Sequence, residues 1–303
     1  MDSPFSATIP APRTLPFTVA DALALAVEHF GAEADPALIF AHGFGQNRQA
    51  WRLSAQHLAA SGWYGMALDG RGHGDSDWSA DGTYDLDTFV TDLKALAATR
   101  PQKPVLIGAS MGGLLGMLAE GETAGGVFGA MVLVDVTPRW ESAGVDRILN
   151  FMSAHPEGFA TLDAAQAAIE AYLPHRERKD PKRLEAQLRR GADGRWRWHW
   201  DPRLLDAVGR NGEQYIPRLL AAAQRIRIPV LLLSGGRSDV VSERTIAEFQ
   251  SLVPHAEHTQ IAAATHLVVG DRNDQFTTEI ARFLGRFRPA STTPEVLHGD
   301  RFS

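Results

Sequence analysis

A short apolar run that stops at a Gly-x-Ser-x-Gly turn constrains this chain most strongly. Val105–Ile107 predicts a buried strand, Gly108-Ala109-Ser110-Met111-Gly112 follows it, and small and apolar residues continue with helical spacing to about Ala119. At a sharp strand-to-helix turn, flanking glycines remove side chains that would collide, and the serine stands exposed above the sheet. The start of the next helix directs free backbone amides toward a developing anion. The segment therefore predicts a nucleophilic Ser110.

Short apolar runs alternate with helical stretches along most of the chain. The predicted strands are Ala37–Ala41, Gly65–Leu68, Val105–Ile107, Ala130–Val134, Val230–Leu233 and His258–Ala262. Strands that alternate with helices usually pair in parallel, and strands covered on both faces need near-continuous apolar residues. The pattern therefore predicts an α/β fold around a mostly parallel sheet, to which Ala22–Gly31 adds an edge strand.

The alternation of strands and helices breaks after Pro138 and resumes at Ile228. The intervening segment 139–225 is charged, contains tryptophans and has helical spacing, so it predicts a helical cap inserted between the sixth and seventh strands. The core domain is then formed by 15–138 together with 226–288. Residues 289–303 are polar and contain proline, which predicts a flexible tail.

Composition narrows the range of partners and chemistry. The chain has 303 residues, 44% of them hydrophobic. Its formal net charge is −6, and its acidic and basic residues are interspersed along the sequence. This charge pattern argues against nucleic acid and against a membrane surface as partners. The absence of cysteine excludes disulfides, thiolate metal sites and a cysteine nucleophile. With no apolar run long enough for a signal or membrane segment, we expect a cytoplasmic protein with a small-molecule substrate. The oligomeric state stays open, a homodimer being one option.

A serine nucleophile needs a base and an acid that orients the base. His266 follows the last predicted strand and is the predicted base. Asp239, in the turn after Val230–Leu233, is the predicted acid. Asp135 also ends a core strand and is the alternative acid. The chain order Ser, Asp, His is typical of hydrolases with such a serine turn.

The tetrahedral intermediate formed by a serine also needs two hydrogen-bond donors for its oxyanion. The strand Leu38–Ala41 runs into His42-Gly43-Phe44-Gly45, where glycines allow backbone amides to turn inward. The predicted donors are the amides of Phe44 and Met111. One such donor typically contributes about 3 kcal/mol of transition-state stabilisation.

Five segments in the order HGFGQNRQAW, LDGRGHGDSD, LIGASMGG, SGGRSDVV and ATHLVVGDRND resemble the α/β-hydrolase fold superfamily, in its capped branch related to esterases, haloperoxidase-like proteins and epoxide hydrolases. The resemblance covers about residues 15–288. It implies an eight-stranded, mostly parallel sheet, and it assigns to Ser110, Asp239, His266 and the two amides the roles given above. Dehalogenases and epoxide hydrolases of this superfamily carry aspartate where this chain has Ser110, so those two activities are not expected.

The expected function is that of a serine hydrolase that cleaves a carboxylic ester or a lactone through an acyl-enzyme on Ser110. This scheme requires no metal and no organic cofactor. Three alternatives stay open. They are hydrolysis of a carbon–carbon bond in a vinylogous diketone, a perhydrolase activity and, in a different class, a small-molecule receptor with slow turnover.

Alternating aromatic and polar residues mark one part of the predicted cap. Trp196, Trp198 and Trp200 would share one face of an extended segment. These tryptophans either attach the cap to the core or line an apolar pocket. The candidate pocket residues are Trp196, Trp198 and Phe151.

Overall fold

The computed structural model describes residues 10–173, 184–206, 212–262, 264–266 and 273–287. Its main sheet has eight strands in the order β1-β2-β4-β3-β5-β6-β9-β10. The strands are β1 (Arg13–Thr18), β2 (Ala24–Phe30), β3 (Ala37–Ala41), β4 (Tyr64–Leu68), β5 (Val105–Ala109), β6 (Ala130–Val134), β9 (Val230–Gly235) and β10 (Glu257–Ile261). Strand β2 runs antiparallel to both of its neighbours, and the other pairs are parallel. The α/β fold with a mostly parallel sheet is confirmed.

The strand predicted at the edge of the sheet lies one position further in. Strand β2 covers Ala24–Phe30 and is flanked by β1, which forms the edge. The sequence did not reveal β1 because most of its side chains are exposed and it contains Pro16. An exposed strand has no apolar alternation to mark it, and proline is tolerated in edge strands.

Helices cover both faces of the sheet. They are α1 (Arg52–Ala60), α2 (Leu86–Ala98), α3 (Met111–Glu122), α4 (Ser142–Ser153), α5 (Leu162–Tyr172), α6 (Ile216–Ala223), α7 (Glu243–Leu252) and α8 (Asn273–Leu284). Helices α1 and α8 pack in one apolar layer, and α2, α3, α6 and α7 pack in the other. Alternate residues of β3 enter the two layers: Leu38 and Phe40 point to one, and Ile39 points to the other. This two-residue period is the reason that the central strands are apolar throughout.

The segment between β6 and β9, which we call the insertion (139–225), contains α4, α5 and α6. It also contains an antiparallel hairpin of β7 (Leu188–Arg190) and β8 (Trp196–Trp198). The prediction of a purely helical segment is therefore incomplete, although the extended form expected around the tryptophans is present in β8. Helix α6 packs closely on α3 at Gly121. Any other residue there would place its Cβ atom 2.2 Å from the carbonyl oxygen of Ala222, so only glycine fits.

Two further predictions concern the ends of the chain and membranes. The predicted tail, 289–303, lies outside the described residues. Within the part of the chain that the structure describes, we find no helix that is both long and apolar enough to span a bilayer.

Candidate active site

Ser110 occupies a sharp turn between β5 and α3. Its φ angle is +45°, a left-handed conformation that side chains other than glycine rarely adopt. Neighbouring glycines make the turn possible: a Cβ atom on Gly108 would lie 2.7 Å from the carbonyl oxygen of Gly112, and one on Gly112 would lie 2.3 Å from that of Ala41. The strain at Ser110 is therefore maintained by close packing of backbone on both sides.

His266 connects Ser110 to a buried carboxylate. The Ser110 hydroxyl lies 3.2 Å from Nε2 of His266, and Nδ1 of His266 lies 2.7 Å from Oδ2 of Asp135. The Asp135 carboxylate accepts the Nδ1 proton, so Nε2 is left as the acceptor that faces the serine hydroxyl. This arrangement can remove the proton from Ser110 as the hydroxyl attacks a carbonyl carbon.

The Asp135 carboxylate is fully buried and receives two further hydrogen bonds from the turn after β9. The Gly235 amide donates to Oδ1 at 2.7 Å, and the Ser238 hydroxyl donates to Oδ2 at 2.6 Å. Ser238 in turn accepts hydrogen bonds from the amides of Val240 and Val241, so its single proton is directed to Asp135. Three donors therefore fix the position of the carboxylate against His266.

Asp239, the predicted acid, does not make this contact, and that prediction is wrong. Its Oδ2 atom pairs with Nε of Arg147 on α4 at 2.8 Å, and its side chain is 35% exposed. Asp135 is brought to the site by sheet register. Ala109 pairs with Val134, so Ser110 and Asp135 both follow directly after neighbouring parallel strands.

The position of Asp239 explains why sequence reasoning chose it wrongly. It lies four residues beyond the end of β9, in a turn whose course the sequence does not reveal. The available signal was that Asp135 follows a core strand without any intervening residue. The carboxyl ends of adjacent parallel strands meet at one edge of the sheet, which favours a residue directly at the strand end.

The loop after β3 lies directly beside the nucleophile. A Cβ atom on Gly43 would lie 3.2 Å from Cβ of Ser110. Met111 is the first residue of α3, where backbone amides lack helical acceptors. Among the hydrogen bonds of the described residues, neither the Phe44 amide nor the Met111 amide has an acceptor. Their role as oxyanion donors stays a prediction.

His42 fixes the start of this loop and takes no part in the Ser110–His266–Asp135 contacts. Its Nδ1 donates to the carbonyl of Gly43 at 2.8 Å, and its Nε2 accepts from the amide of Gly70 at 2.9 Å. Burial lowers the pKa of His42, which keeps the ring neutral. Its role is to fix the loop.

The insertion reaches the site through two side chains at Gly45. A Cβ atom on Gly45 would lie 2.7 Å from Cε of Met152 and 3.6 Å from Cζ3 of Trp200. Gly45 is thus required both for its φ angle of +73° and for the space that these side chains occupy. Met152 and Trp200 are two side chains of the insertion that contact the loop beside Ser110, and neither was among the candidate pocket residues.

Two of the three candidate pocket residues connect to Trp200. Trp198 stacks on Trp200 with ring centroids 5.1 Å apart, and Phe151 contacts Trp198 at 5.5 Å. Trp196 is placed differently: it is half-buried, pairs with Phe159 through the backbone, and has the Arg190 guanidinium 5.7 Å from its ring. The aromatic contacts therefore lead from Phe151 through Trp198 to Trp200, and Trp196 lies to the side of them.

A model of the alpha/beta hydrolase family matches residues 38–279 of this chain. The chain belongs to the alpha/beta hydrolase family. It is 29% identical over 264 residues to esterase Rv0045c of Mycobacterium tuberculosis, covering 82% of each protein. It is 28% identical over 259 residues to 3-hydroxybutyrate-oligomer hydrolase of Cupriavidus necator, covering 80% of this chain and 86% of that protein.

Comparison with solved structures gives the same fold. The crystal structure of E-2-(acetamidomethylene)succinate hydrolase superposes with a TM-score of 0.80 at 22% identity, covering 91% of this chain and all of the other. The resemblance that the five sequence segments suggested is confirmed, as are the fold class and the prediction that this member of the alpha/beta hydrolase family is a hydrolytic enzyme.

Proposed function

We propose that this hydrolase is a serine esterase that cleaves carboxylic esters or lactones with a small to medium acyl part. Ser110 is the nucleophile, His266 the general base and Asp135 the acid that orients the base. The observation that carries the proposal is the continuous hydrogen-bond chain from Ser110 through His266 to Asp135. It occurs at a left-handed serine turn, beside which the amides of Phe44 and Met111 have no acceptor within the part of the chain that the structure describes.

In the first half of the reaction, the Ser110 oxygen attacks the ester carbonyl carbon while its proton moves to Nε2 of His266. The negative charge that develops on the carbonyl oxygen is stabilised by the amides of Phe44 and Met111. The buried Asp135 carboxylate stabilises the imidazolium through Nδ1. His266 then donates its proton to the leaving alkoxide, which departs as the alcohol and leaves an acyl-enzyme.

In the second half, His266 takes a proton from a water molecule, and the resulting hydroxide attacks the acyl carbon. The carboxylic acid leaves and Ser110 recovers its proton from His266. A lactone follows the same path, except that the alcohol and the acid remain in one molecule. No step requires a metal or an organic cofactor.

The relatives support ester hydrolysis as the reaction class. One is named an esterase and another a 3-hydroxybutyrate-oligomer hydrolase. A third, from Mus musculus, is named an sn-1-specific diacylglycerol lipase. The serine at position 110 agrees with these names, because a serine alkoxide attacks a carbonyl carbon well and forms an acyl intermediate.

The insertion supports an apolar acyl pocket and acts, in this proposal, as a cap over the site. Met152 and Trp200 pack against Gly45, one residue beyond the proposed donor Phe44. Trp198 and Phe151 continue the apolar surface away from the loop. Thioether and aromatic groups at this position favour an uncharged acyl chain in the proposed pocket, and their closeness to the loop limits the length of that chain.

The test is turnover of p-nitrophenyl esters from acetate to decanoate and of several lactones, followed by absorbance and by acid release. We expect hydrolysis that falls at the longer chains and is abolished in Ser110→Ala. A fluorophosphonate probe should label the wild type and fail to label that variant.

The same experiment can overturn the proposal. Fluorophosphonate labelling of Ser110 without turnover of any ester or lactone would contradict an esterase. A vinylogous diketone would then be tried as a substrate for carbon–carbon hydrolysis. A ligand-stabilisation screen would test the receptor role. Ester turnover that persists in Ser110→Ala would contradict the assigned nucleophile.

A further inference from the structure

Three buried imidazole rings form a column between the insertion and the loop beside Ser110. We call His42, His73 and His199 the histidine column. Each side chain is at most 2% exposed. The ring centroids of His42 and His73 lie 4.9 Å apart, and those of His73 and His199 lie 6.4 Å apart. The column is separate from His266, which serves the proposed chemistry.

Every ring of the column accepts a hydrogen bond from a glycine amide. Nε2 of His42 accepts from Gly70, and Nε2 of His73 accepts from Gly45 at 3.2 Å. Nδ1 of His199 accepts from Gly74 at 2.9 Å. A backbone N–H can only donate, so each accepting nitrogen must be unprotonated.

Each ring is therefore held in one neutral tautomer. In His73 the proton sits on Nδ1, which donates to the carbonyl of Arg71 at 3.0 Å. In His199 it sits on Nε2, which is buried and has no well-aligned acceptor among the described residues. Burial lowers the pKa of His73 well below its ordinary value and lowers that of His199 to about 3. No ring keeps a free lone pair for a metal ion.

The column acts on the loop at Gly45, the residue after Phe44. His73 holds the Gly45 amide, and the His73 ring meets the Phe44 ring edge-on at 5.9 Å. His199 lies perpendicular to Trp200, which itself contacts Gly45. The peptide that precedes Gly45 is thus held by the hydrogen bond to His73, and Trp200, which His199 contacts, packs against Gly45 itself.

His199 is the member of the column that comes from the insertion. It follows β8 directly, and its bond to the Gly74 amide joins the insertion to the turn that carries His73. The insertion therefore contacts both the loop after β3 and the turn whose His73 bonds to that loop.

We propose that His73 and His199 are positioning residues that set the direction of the Phe44 amide toward the oxyanion. The insertion then contributes to the chemical step as well as to substrate binding. This inference rests on the proposed esterase function, because it assigns a role in stabilising the same oxyanion.

The test compares two replacements at each histidine. His199→Leu and His73→Leu remove the acceptor. His199→Asn places an oxygen near the position of Nδ1, and His73→Gln places one near that of Nε2. We expect kcat to fall in the leucine variants by about 10²-fold, the scale of losing one oxyanion donor, with KM changed less than threefold. The amide variants should recover most of that loss.

A second measurement separates positioning from a general structural effect. The affinity for an alkyl boronic acid, which forms a tetrahedral adduct with the serine, should fall in parallel with kcat in the leucine variants. The affinity for the product carboxylate should not change. The control is His29→Leu, which also removes a partly buried, hydrogen-bonded histidine, here on β2 and bonded to Tyr64. That control should keep kcat and boronate affinity.

Several outcomes would overturn the inference and leave the proposed function intact, because that function is tested separately by Ser110→Ala. A folded His199→Leu with unchanged kcat and boronate affinity would do so, and so would a rise in KM alone. If a leucine variant does not fold, His199→Gln replaces it, since its oxygen cannot coincide with Nδ1. Equal kcat in His199→Gln, His199→Asn and the wild type would then contradict the inference.

Discussion

The edge of the sheet at Ser110 and the insertion above it are organised by different forces. At the sheet edge, Ser110 and Asp135 follow neighbouring strands whose register is set by backbone hydrogen bonds. In the insertion, Met152 and Trp200 are placed by side-chain packing between a helix, a hairpin and a loop. Backbone pairing places a residue to within one position, whereas packing leaves several arrangements of similar energy. We therefore expect the chemistry to depend on single residues at the sheet edge and the specificity to be adjustable in the insertion.

The largest expected effect tests the sheet edge. Asp135→Asn should lower kcat by about 10⁴-fold, because an amide in this position favours the wrong tautomer of His266 and cannot stabilise its charged form. The matched control is Asp239→Asn, which removes a carboxylate that pairs with Arg147 and should change kcat less than threefold. Both would be measured on the best p-nitrophenyl ester. A strong loss in Asp239→Asn with a weak one in Asp135→Asn would return the role of the acid to Asp239.

An intermediate effect tests the insertion. Met152→Ala removes the side chain that lies on Gly45, and we expect the preferred acyl chain to lengthen, with about a tenfold change in the ratio of kcat/KM between octanoate and acetate esters. Met152→Leu keeps the volume and should keep the preference. An unchanged ratio in a folded Met152→Ala would show that the acyl chain does not pass this side chain.

The third expected effect is on acid stability and tests the histidine column. The unfolded chain protonates histidine near pH 6.5, whereas burial and the nearby His42 and Arg189 keep the pKa of folded His199 at about 3. Between these values the unfolded state binds more protons, so the free energy of unfolding should fall as pH decreases from 6.5 toward 3. This group contributes about 1.4 kcal/mol per pH unit. Urea titrations from pH 7 to 4 should show a shallower decrease for His199→Asn. Equal slopes in both proteins would contradict a buried neutral ring.

Much of the fold could be predicted because the central strands carry their own signal. Ala37–Ala41 and Ala130–Val134 were predicted with the bounds that the structure has, since continuous apolar residues between turn residues leave little choice. The edge strand β1 was missed because an exposed strand with a proline lacks that signal. The hairpin of the insertion was missed because β7 is only three residues long.

The candidate site likewise has one part that the local sequence predicts and another part that it does not. Ser110 and the Met111 amide lie in one local turn, in which glycines and the start of a helix are adjacent in sequence, and the Phe44 amide was predicted from the glycine-rich loop after β3. The contact of His266 with Asp135 joins residues 131 positions apart, and sequence order does not distinguish Asp135 from Asp239. Nor could it show that Ser238, next to Asp239, would bond to Asp135.

The sequence by itself therefore determined the α/β sheet, the serine turn and the hydrolytic class, because each depends on short-range pattern and on backbone geometry. Tertiary structure alone decided which carboxylate faces His266, which side chains of the insertion contact the loop beside Ser110, and how His73 and His199 support that loop. These contacts depend on strand register and on side-chain packing between distant segments, and no local pattern of residues encodes either.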